Sequence, residues 1–277
     1  MSLILMFITN KPDFMILAEK CGVNRIFIDM ETIGKEKRQP KMDTVKSFHT
    51  VDDVKNARKV LNKAEILVRI NSIWEGSEEE INNVIEAGAD VVMLPYFKSK
   101  NEVELFLKYV DRRAKTCLLF ETDSSVLNVD DILSLDGIDE AYVGINDMHL
   151  CYKKSFMFEM LSDGTVEYLC NKFKEKNIPF GFGGIARLGY GDVPAEMVLG
   201  EHYRLGSTIV ILSRSFCRIN DNSIVSDLEE MFKKEIANIR EYENSLTNKN
   251  KEFFIENQKE LYGKIEIIAK NGKTTSM

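Results

Sequence analysis

Short apolar runs alternate with amphipathic stretches from residue 3 to residue 216. The runs have the length of buried strands, and the stretches between them carry apolar residues at helical spacing. The eight runs are LILMFIT (3–9), RIFIDME (25–31), EILVRIN (65–71), VVMLPYF (91–97), TCLLFET (116–122), EAYVGIND (140–147), PFGFGGIA (179–186) and STIVILSRSF (207–216). Strands that alternate with helices indicate a parallel sheet.

Eight strand–helix units predict an α/β fold, a closed (β/α)8 TIM barrel. The main alternative is an open doubly wound sheet, which would need a glycine-rich turn after its first strand. The corresponding segment, FITNKPD (7–13), contains no glycine. The barrel is therefore the prediction. In the helical stretch after the third run, Ser77 with Glu80 three residues later predicts a helix N-cap.

The pattern changes after residue 220. DLEEMFKKEIANIREYENSL (227–246) is strongly helical and charged, and a second polar helical stretch follows. We predict a catalytic barrel domain over 1–220 and a helical extension over 221–277. The extension is expected to pack on the barrel or on a neighbouring subunit.

Composition narrows the class of protein. A hydrophobic fraction of 44% supports a sizeable core, and a net charge of −7 argues against a nucleic-acid surface. The apolar start is seven residues long and lacks a basic flank, so we interpret it as a strand rather than a signal peptide. No stretch reaches the length of a membrane span. Five irregularly spaced cysteines favour reduced thiols in a cytoplasmic protein.

Polar residues collect where the runs end, which in a barrel is the active-site edge. In chain order they are Asp29, Glu31, Arg69, Asn71, Pro95, Tyr96, Glu121, Asn146, Asp147, Gly183, Gly184, Ser213 and Arg214. The starts of the runs are expected to carry little charge. This sorting favours an enzyme over a purely structural barrel.

Glu121 and Asp147 end two successive runs and form the candidate metal pair. Two carboxylates, with water or substrate oxygens completing the shell, suit Mg²⁺ or Mn²⁺ better than Zn²⁺. The alternative for both residues is a hydrogen-bonded structural role.

Arg69 interrupts a buried run and is predicted to bind a substrate carboxylate or enolate, with a structural ion pair as the alternative. We predict that Asn71, Gly183, Gly184 and Ser213 also bind substrate. Glycines let backbone approach a ligand closely, and barrels often bind phosphate after strands seven and eight, so a phosphorylated substrate is one interpretation. Tight packing around the glycines remains the other.

Two histidines lie near these ends. His49 belongs to the long segment 31–50 after the second run and is predicted to act as an acid/base or substrate contact. His149, two residues beyond Asp147, is a candidate neighbour of the metal.

Five motifs together resemble the HpcH/HpaI aldolase and citrate lyase β-subunit family. In order they are IDME (28–31), VRIN (68–71), GADVVMLP (88–95), LLFET (118–122) and GIND (144–147). The resemblance implies a TIM barrel that binds pyruvate, oxaloacetate or related 2-oxo acids on Mg²⁺ or Mn²⁺. It matches Glu121 and Asp147 to the metal ligands and Arg69 to the arginine near the substrate oxygens. It also implies a trimer or hexamer in which C-terminal helices contact other subunits.

One departure concerns Thr32, which stands where the aldolase branch usually has a proton-transferring histidine; His49 is the candidate substitute. The VRIN form leans toward the citrate-lyase branch, whose members act on acyl thioesters. We therefore expect a metal-dependent carbon–carbon lyase acting on a 2-oxo acid, with a phosphorylated substrate or an acyl-coenzyme A co-substrate as options. The alternatives are an acyl-thioester lyase or hydrolase, and a non-catalytic carboxylate-binding barrel.

Overall fold

Eight strands close into a barrel in chain order, which confirms the predicted TIM-barrel fold. The computed structural model describes residues 2–34, 49–214, 216–217 and 224–274. The strands are β1 (Ile4–Ile8), β2 (Arg25–Asp29), β3 (Glu65–Arg69), β4 (Val91–Leu94), β5 (Lys115–Phe120), β6 (Glu140–Val143), β7 (Phe180–Ile185) and β8 (Ile209–Leu212). Paired strands run parallel, and β2 meets β3 with Arg25 opposite Glu65 and Asp29 opposite Arg69.

Helices fill the connections, as the alternating pattern predicts. In the described residues they are α1 (Pro12–Lys20), α2 (Val51–Val60), α3 (Ser77–Glu86), α4 (Lys100–Val110), α5 (Asp123–Leu127), α6 (Val129–Ile132), α7 (Ile145–Cys151), α8 (Glu159–Ser162), α9 (Thr165–Glu175), α10 (Ala195–Leu205), α11 (Val225–Leu246) and α12 (Lys251–Thr274). None of the described helices is both long and apolar enough to cross a membrane. No disulfide joins the five cysteines.

Local sequence accounts for these elements. Every residue of β2 and of β4 is buried, as expected for parallel strands covered on both faces. Helix α4 begins at a capping box in which Ser99 and Glu102 bond each other's backbone N–H groups. The predicted cap at Ser77 is wrong, since α3 starts at Ser77 and its cap position is Gly76.

The chain divides into two compact units. One comprises Met6–Tyr142, and the other comprises Met1–Leu5 with Val143–Met277. In the second unit α12 packs on α10 and α8. Asn257 of α12 donates a hydrogen bond to the carbonyl of Met197 at 3.0 Å. The proposed division of function at residue 220 stays a prediction.

Charged residues also occupy the strand starts, so the expectation that the starts carry little charge is wrong. Arg25, with no exposed surface, donates two hydrogen bonds to Glu140, at 2.7 and 2.9 Å. It also donates to Glu65 at 2.6 and 3.1 Å, and Glu65 accepts a further bond from Lys115 at 2.6 Å. Burial lowers the pKa of Arg25, but the bonds and charges of Glu140 and Glu65 outweigh it and raise the pKa above its usual range. Paired in this way, the charges can be buried in the interior.

Candidate active site

An ion-paired cluster lies at the carboxyl ends of β2 and β3. Asp29 accepts hydrogen bonds from Nε and Nη2 of Arg69, each at 2.8 Å. Nη1 of Arg69 lies 3.5 Å from Oε2 of Glu31. Asp29 and Arg69 are opposite each other in the strand register, so parallel pairing itself brings the two side chains together. Both acids expose 3% of their surface or less.

The charge of Arg69 is fixed by its surroundings. Burial lowers its pKa, but the charges of Asp29 and Glu31, the hydrogen bonds to Asp29 and the charge of Glu121 together raise it well above its usual range. Arg69 therefore stays protonated at any physiological pH. The ion pair that the sequence left as an alternative is present, and substrate binding by Arg69 stays a prediction.

Glu121 directly follows β5 and is almost fully buried, with 2% of its surface exposed. Its Oε1 accepts a hydrogen bond at 3.0 Å from the backbone N–H of Tyr96, which follows β4. Tyr96 has a φ of 50°, in the left-handed region that costs energy for a residue with a Cβ. This local conformation aims the N–H at Glu121 and helps to fix the carboxylate.

Asn71 holds the start of the loop that follows β2. Its Oδ1 accepts hydrogen bonds from the backbone N–H groups of Thr32 and Ile33, both at 2.8 Å. Its Nδ2 donates to Glu80 at 2.8 Å. The oxygen and the nitrogen of the Asn71 amide both have hydrogen-bond partners, so the side chain positions the loop after β2. The prediction that Asn71 binds substrate stays untested.

His49 contacts the end of β2, although twenty residues of chain separate it from Asp29. Its Nδ1 accepts a hydrogen bond at 2.9 Å from the backbone N–H of Asp29, twenty residues earlier. An accepting Nδ1 places the proton of the neutral ring on Nε2. Residues 35–48 of the predicted loop lie outside the described residues.

Asp147 does not lie on a strand, which corrects the predicted sixth run. Strand β6 ends at Val143, and Gly144 occupies the cap position of α7. Asp147 therefore sits in the first turn of that helix, with 8% of its surface exposed. His149 of the same helix is buried, and its Nδ1 has no hydrogen-bond partner in the part of the chain that the structure describes.

The glycines of β7 permit close packing. Gly183 has a φ of 54°, and a Cβ there would lie 2.9 Å from Cδ1 of Ile145. A Cβ on Gly184 would lie 3.3 Å from the carbonyl oxygen of Ile211. The backbone N–H of Ser213 donates to Ile185 at 2.8 Å. These contacts support the packing interpretation, and substrate binding by Gly183, Gly184 and Ser213 stays a prediction.

Sequence reasoning placed Asp29 and Glu31 at a strand end but gave them no role in the site. The structure makes both of them partners of Arg69. The sequence held a signal for this contact. Asp29 and Glu31 are two residues apart in the predicted second run, so their side chains are expected on the same side, and Arg69 lies near the end of the next run.

The donor chemistry at these positions suits a hard divalent cation. Glu121 and Asp147 are both buried and offer only oxygen ligands, which fit Mg²⁺ or Mn²⁺ better than Zn²⁺. The described residues hold no group of three or more histidines, cysteines or acids that could bind a metal ion. A site with two protein carboxylates needs water and substrate oxygens to complete the shell.

Solved structures share the fold. A family protein of the HpcH/HpaI aldolase/citrate lyase type from Burkholderia cenocepacia aligns with a TM-score of 0.59 at 12% identity, over 86% of this chain and 95% of that chain. An HpcH/HpaI aldolase from Desulfitobacterium hafniense aligns with a TM-score of 0.56 at 15% sequence identity, over 87% of this chain and 93% of that chain. The citrate synthase SbnG aligns with a TM-score of 0.59 at 12% sequence identity, over 87% of this chain and 94% of that chain.

Sequence comparison identifies the family. No curated protein sequence matches this chain. The sequence profile of the family described as HpcH/HpaI aldolase/citrate lyase matches residues 3–156, more than half of the chain. Together with the barrel and the five ordered motifs, this match shows that the chain belongs to the HpcH/HpaI aldolase/citrate lyase family.

Proposed function

We propose that this protein is a divalent-metal-dependent carbon–carbon lyase that cleaves or forms a 2-oxo acid through a pyruvate-type enolate. The observation that carries the proposal is the set of buried charges at the strand ends, where Arg69 is held by Asp29 and Glu31 and is influenced by Glu121. Membership of a family named for aldolases and citrate lyases supports the same chemistry.

Glu121 and Asp147 are the proposed metal ligands. Both are buried acids at positions that match the family's motifs. Bound there, Mg²⁺ or Mn²⁺ would supply Lewis-acid polarisation of the substrate's keto oxygen. The backbone N–H of Tyr96 donates to Oε1 of Glu121 and helps to orient its carboxylate.

Arg69 would stabilise negative charge on the substrate oxygens as the enolate forms. Its permanent charge and its bidentate contact with Asp29 orient the guanidinium before substrate arrives, and preorganised charge is worth most in a water-poor site. Asn71, Gly183, Gly184 and Ser213 are the further proposed substrate contacts.

His49 is the proposed proton-transfer group. Its neutral ring carries the proton on Nε2, because Nδ1 accepts from Asp29. In the condensation direction His49 could therefore deliver the Nε2 proton to the newly formed alkoxide oxygen, which becomes a hydroxyl. His49 would then take the role of the histidine that the aldolase branch usually carries at the position of Thr32.

Exchange of the methyl protons of pyruvate with deuterated solvent tests the proposal. We expect metal-dependent exchange in the wild type, and loss of exchange and of Mn²⁺ binding in Glu121→Gln and Asp147→Asn. The control is Asp52→Asn, which alters an exposed acid paired with Lys55 on α2 and should change neither property. Exchange that survives both chelation and the two substitutions would refute the mechanism. A wild type with no exchange would favour the non-catalytic barrel.

A citrate-lyase-like or citrate-synthase-like thioester enzyme is the second candidate. The VRIN motif and the structural likeness to a citrate synthase favour it. Calorimetric titration with coenzyme A separates the two, because a simple 2-oxo acid aldolase should show no binding.

A trimer or hexamer in which the C-terminal helices contact neighbouring subunits also stays a proposal. Light scattering of the full chain would give the subunit number. A strictly monomeric protein at micromolar concentration would overturn it.

A further inference from the structure

Glu80, in the first turn of α3, joins that helix to the segment after β3 through both of its carboxylate oxygens. Oε1 accepts hydrogen bonds from the backbone N–H of Asn71 at 3.1 Å and from its Nδ2 at 2.8 Å. Oε2 accepts a hydrogen bond from the indole Nε1 of Trp74 at 2.9 Å. The indole packs on Gly76, where an added Cβ would overlap the six-membered ring. The carboxylate of Glu80 is therefore held from two sides.

Asn71 carries this constraint to the loop after β2. The oxygen and the nitrogen of an amide belong to one planar group, so a fixed Nδ2 also fixes Oδ1. Oδ1 accepts hydrogen bonds from the backbone N–H groups of Thr32 and Ile33, both at 2.8 Å, and from the Thr32 hydroxyl at 3.3 Å. Asn71 is buried, so an unpaired amide nitrogen there would cost free energy. Glu80 therefore determines the direction in which the amide of Asn71 points.

The loop after β2 also carries a partner of Arg69. Glu31 directly precedes Thr32, and its Oε2 lies 3.5 Å from Nη1 of Arg69. That separation is longer than an ordinary N–H···O hydrogen bond, so the contact is an ion pair whose length depends on the position of the backbone that follows Glu31. Asp29, on the strand itself, bonds Arg69 twice at 2.8 Å. Glu31 is therefore the partner whose distance from the guanidinium the loop controls.

A connected series of contacts thus runs from α3 to the end of β3, within the compact unit Met6–Tyr142. Its members, in order, are Glu80, Asn71, Thr32, Glu31 and Arg69. The energy of two charges in buried surroundings depends strongly on their separation, and Glu31 is almost fully buried. A displacement of Thr32 would therefore change how much of the positive charge of Arg69 is offset by Glu31.

We propose that Glu80 is a positioning residue for Arg69. Through Asn71 it sets the distance between Glu31 and the guanidinium, and with it the positive charge that Arg69 presents to a developing enolate. The inference rests on the proposed function, because it assigns Glu80 a part in the same reaction.

Two alanine substitutions in the first turn of α3 test the proposal. Glu80→Ala removes the acceptor of Asn71, and Glu79→Ala removes an exposed acid from the same turn, so both lose one charge at the helix start. We expect the pyruvate exchange rate at saturation, per folded molecule, to fall roughly tenfold in Glu80→Ala and to stay unchanged in Glu79→Ala. The half-saturating pyruvate concentration should change little, because Asp29 still orients Arg69. Equal exchange rates in the two variants would overturn the proposal.

A double-mutant cycle shows whether Glu80 acts through Asn71. In Asn71→Ala the amide that transmits the constraint is absent, so adding Glu80→Ala should lower the exchange rate no further. An effect of Glu80 on α3 alone would instead multiply with the effect of Asn71→Ala, and that result would contradict the proposed route.

Glu80→Gln combined with Trp74→Phe is the rescue variant. The glutamine oxygen can accept a hydrogen bond from Asn71, and the phenylalanine removes the indole N–H that the glutamine nitrogen would otherwise face. This variant should recover most of the exchange rate of Trp74→Phe, and a rate as low as that of Glu80→Ala would count against the inference. If Glu80→Ala does not fold, Glu80→Met takes its place, since it keeps the length of the side chain and lacks an oxygen.

Calorimetric titration with oxalate in the presence of Mg²⁺ separates the two levels of inference. Oxalate is a planar dianion that resembles the enolate of pyruvate. If the wild type and Glu80→Ala exchange pyruvate equally fast, the proposed function stands and this inference fails. If the wild type binds oxalate without exchanging pyruvate, and Glu80→Ala weakens oxalate only when Asn71 is present, this inference stands and the proposed function fails. A wild type that neither exchanges pyruvate nor binds oxalate refutes both.

Discussion

At the scale of single residues, burial decides which groups can titrate. His202 of α10 has no exposed surface and stacks on Phe182 with 3.8 Å between ring centroids. Its Nδ1 pairs with Oγ of Ser207 at 2.8 Å. Burial lowers the pKa of His202 to about 3. The folded protein therefore holds a neutral imidazole where an unfolded chain would carry a charge in mild acid.

This residue predicts a pH dependence of stability. An unfolded histidine takes up its proton near pH 6.5, so the contribution of His202 is complete above that pH and is lost as the pH falls toward 3. The slope should approach about 1.4 kcal/mol per pH unit within that window. His202→Phe cannot titrate and should give a flatter curve in urea unfolding between about pH 6.5 and 5.

Comparison with Phe182→Leu, which keeps the histidine, checks that loss of the ring stack is not the cause. If the free energy of unfolding falls with pH equally in the wild type and in His202→Phe, the lowered pKa of His202 is contradicted.

The polar cluster also shows what residue-level sequence reasoning can reach. Ser77 and Glu80 have the spacing of a helix cap, yet Glu80 accepts from Asn71 and from the Trp74 indole instead. Spacing along the chain identified Glu80 as a polar partner. The identity of its donors, the Asn71 amide and the Trp74 indole, depends on how the segment after β3 folds.

At the scale of elements, the hydrophobic pattern located all eight strands because buried parallel strands are short continuous apolar runs. It failed at the sixth run, where the apolar residues of α7 follow β6 after a single glycine and extend the run to Asp147. Periodicity cannot separate a buried strand from the first turn of a buried helix.

Two glycines on facing helices give a matched prediction for helix packing. A Cβ on Gly263 of α12 would meet nothing within 4 Å, whereas one on Gly200 of α10 would lie 2.6 Å from Nδ2 of Asn257. Gly263→Ala should stabilise the protein by about 0.5–1 kcal/mol through helix propensity. Gly200→Ala should lose that gain, because it displaces the amide that bonds Met197 and forfeits about 1 kcal/mol.

Thermal and urea unfolding of the two variants measure the difference. Equal stabilisation by both substitutions would mean that the contact between α10 and α12 does not contribute to stability.

At the scale of the whole molecule, the proposed active-site residues lie at the carboxyl ends of the strands, and a buried ion-pair network lies at the strand starts. The network of Arg25 lies at the strand starts, away from the ends that carry Arg69 and Glu121. Sequence reasoning missed it because Arg25 and Glu140 are 115 residues apart and pair only through the folded sheet.

Glu140→Gln tests this separation of roles. It removes one carboxylate from a guanidinium with no exposed surface, and breaking a buried pair costs about 3–5 kcal/mol. Lys115→Met is the matched control, since that lysine is 54% exposed and should cost no more than about 1 kcal/mol. Urea unfolding gives both values.

Pyruvate exchange per folded molecule should be unchanged in Glu140→Gln. A large loss of exchange in the folded variant would show that the two ends are coupled.

The charged network at the strand starts also has a consequence for folding. Interior positions of β2 and β3 are all apolar, Ile-Phe-Ile and Ile-Leu-Val, and apolar side chains alone specify the alignment of two strands weakly. Arg25 and Glu65 are opposite each other in the native register. A slide by one residue would turn the guanidinium away from its carboxylates and leave a buried charge alone, at a cost of several kcal/mol. The ion pairs therefore select the correct alignment among many apolar ones, and they discourage slipped, aggregation-prone intermediates.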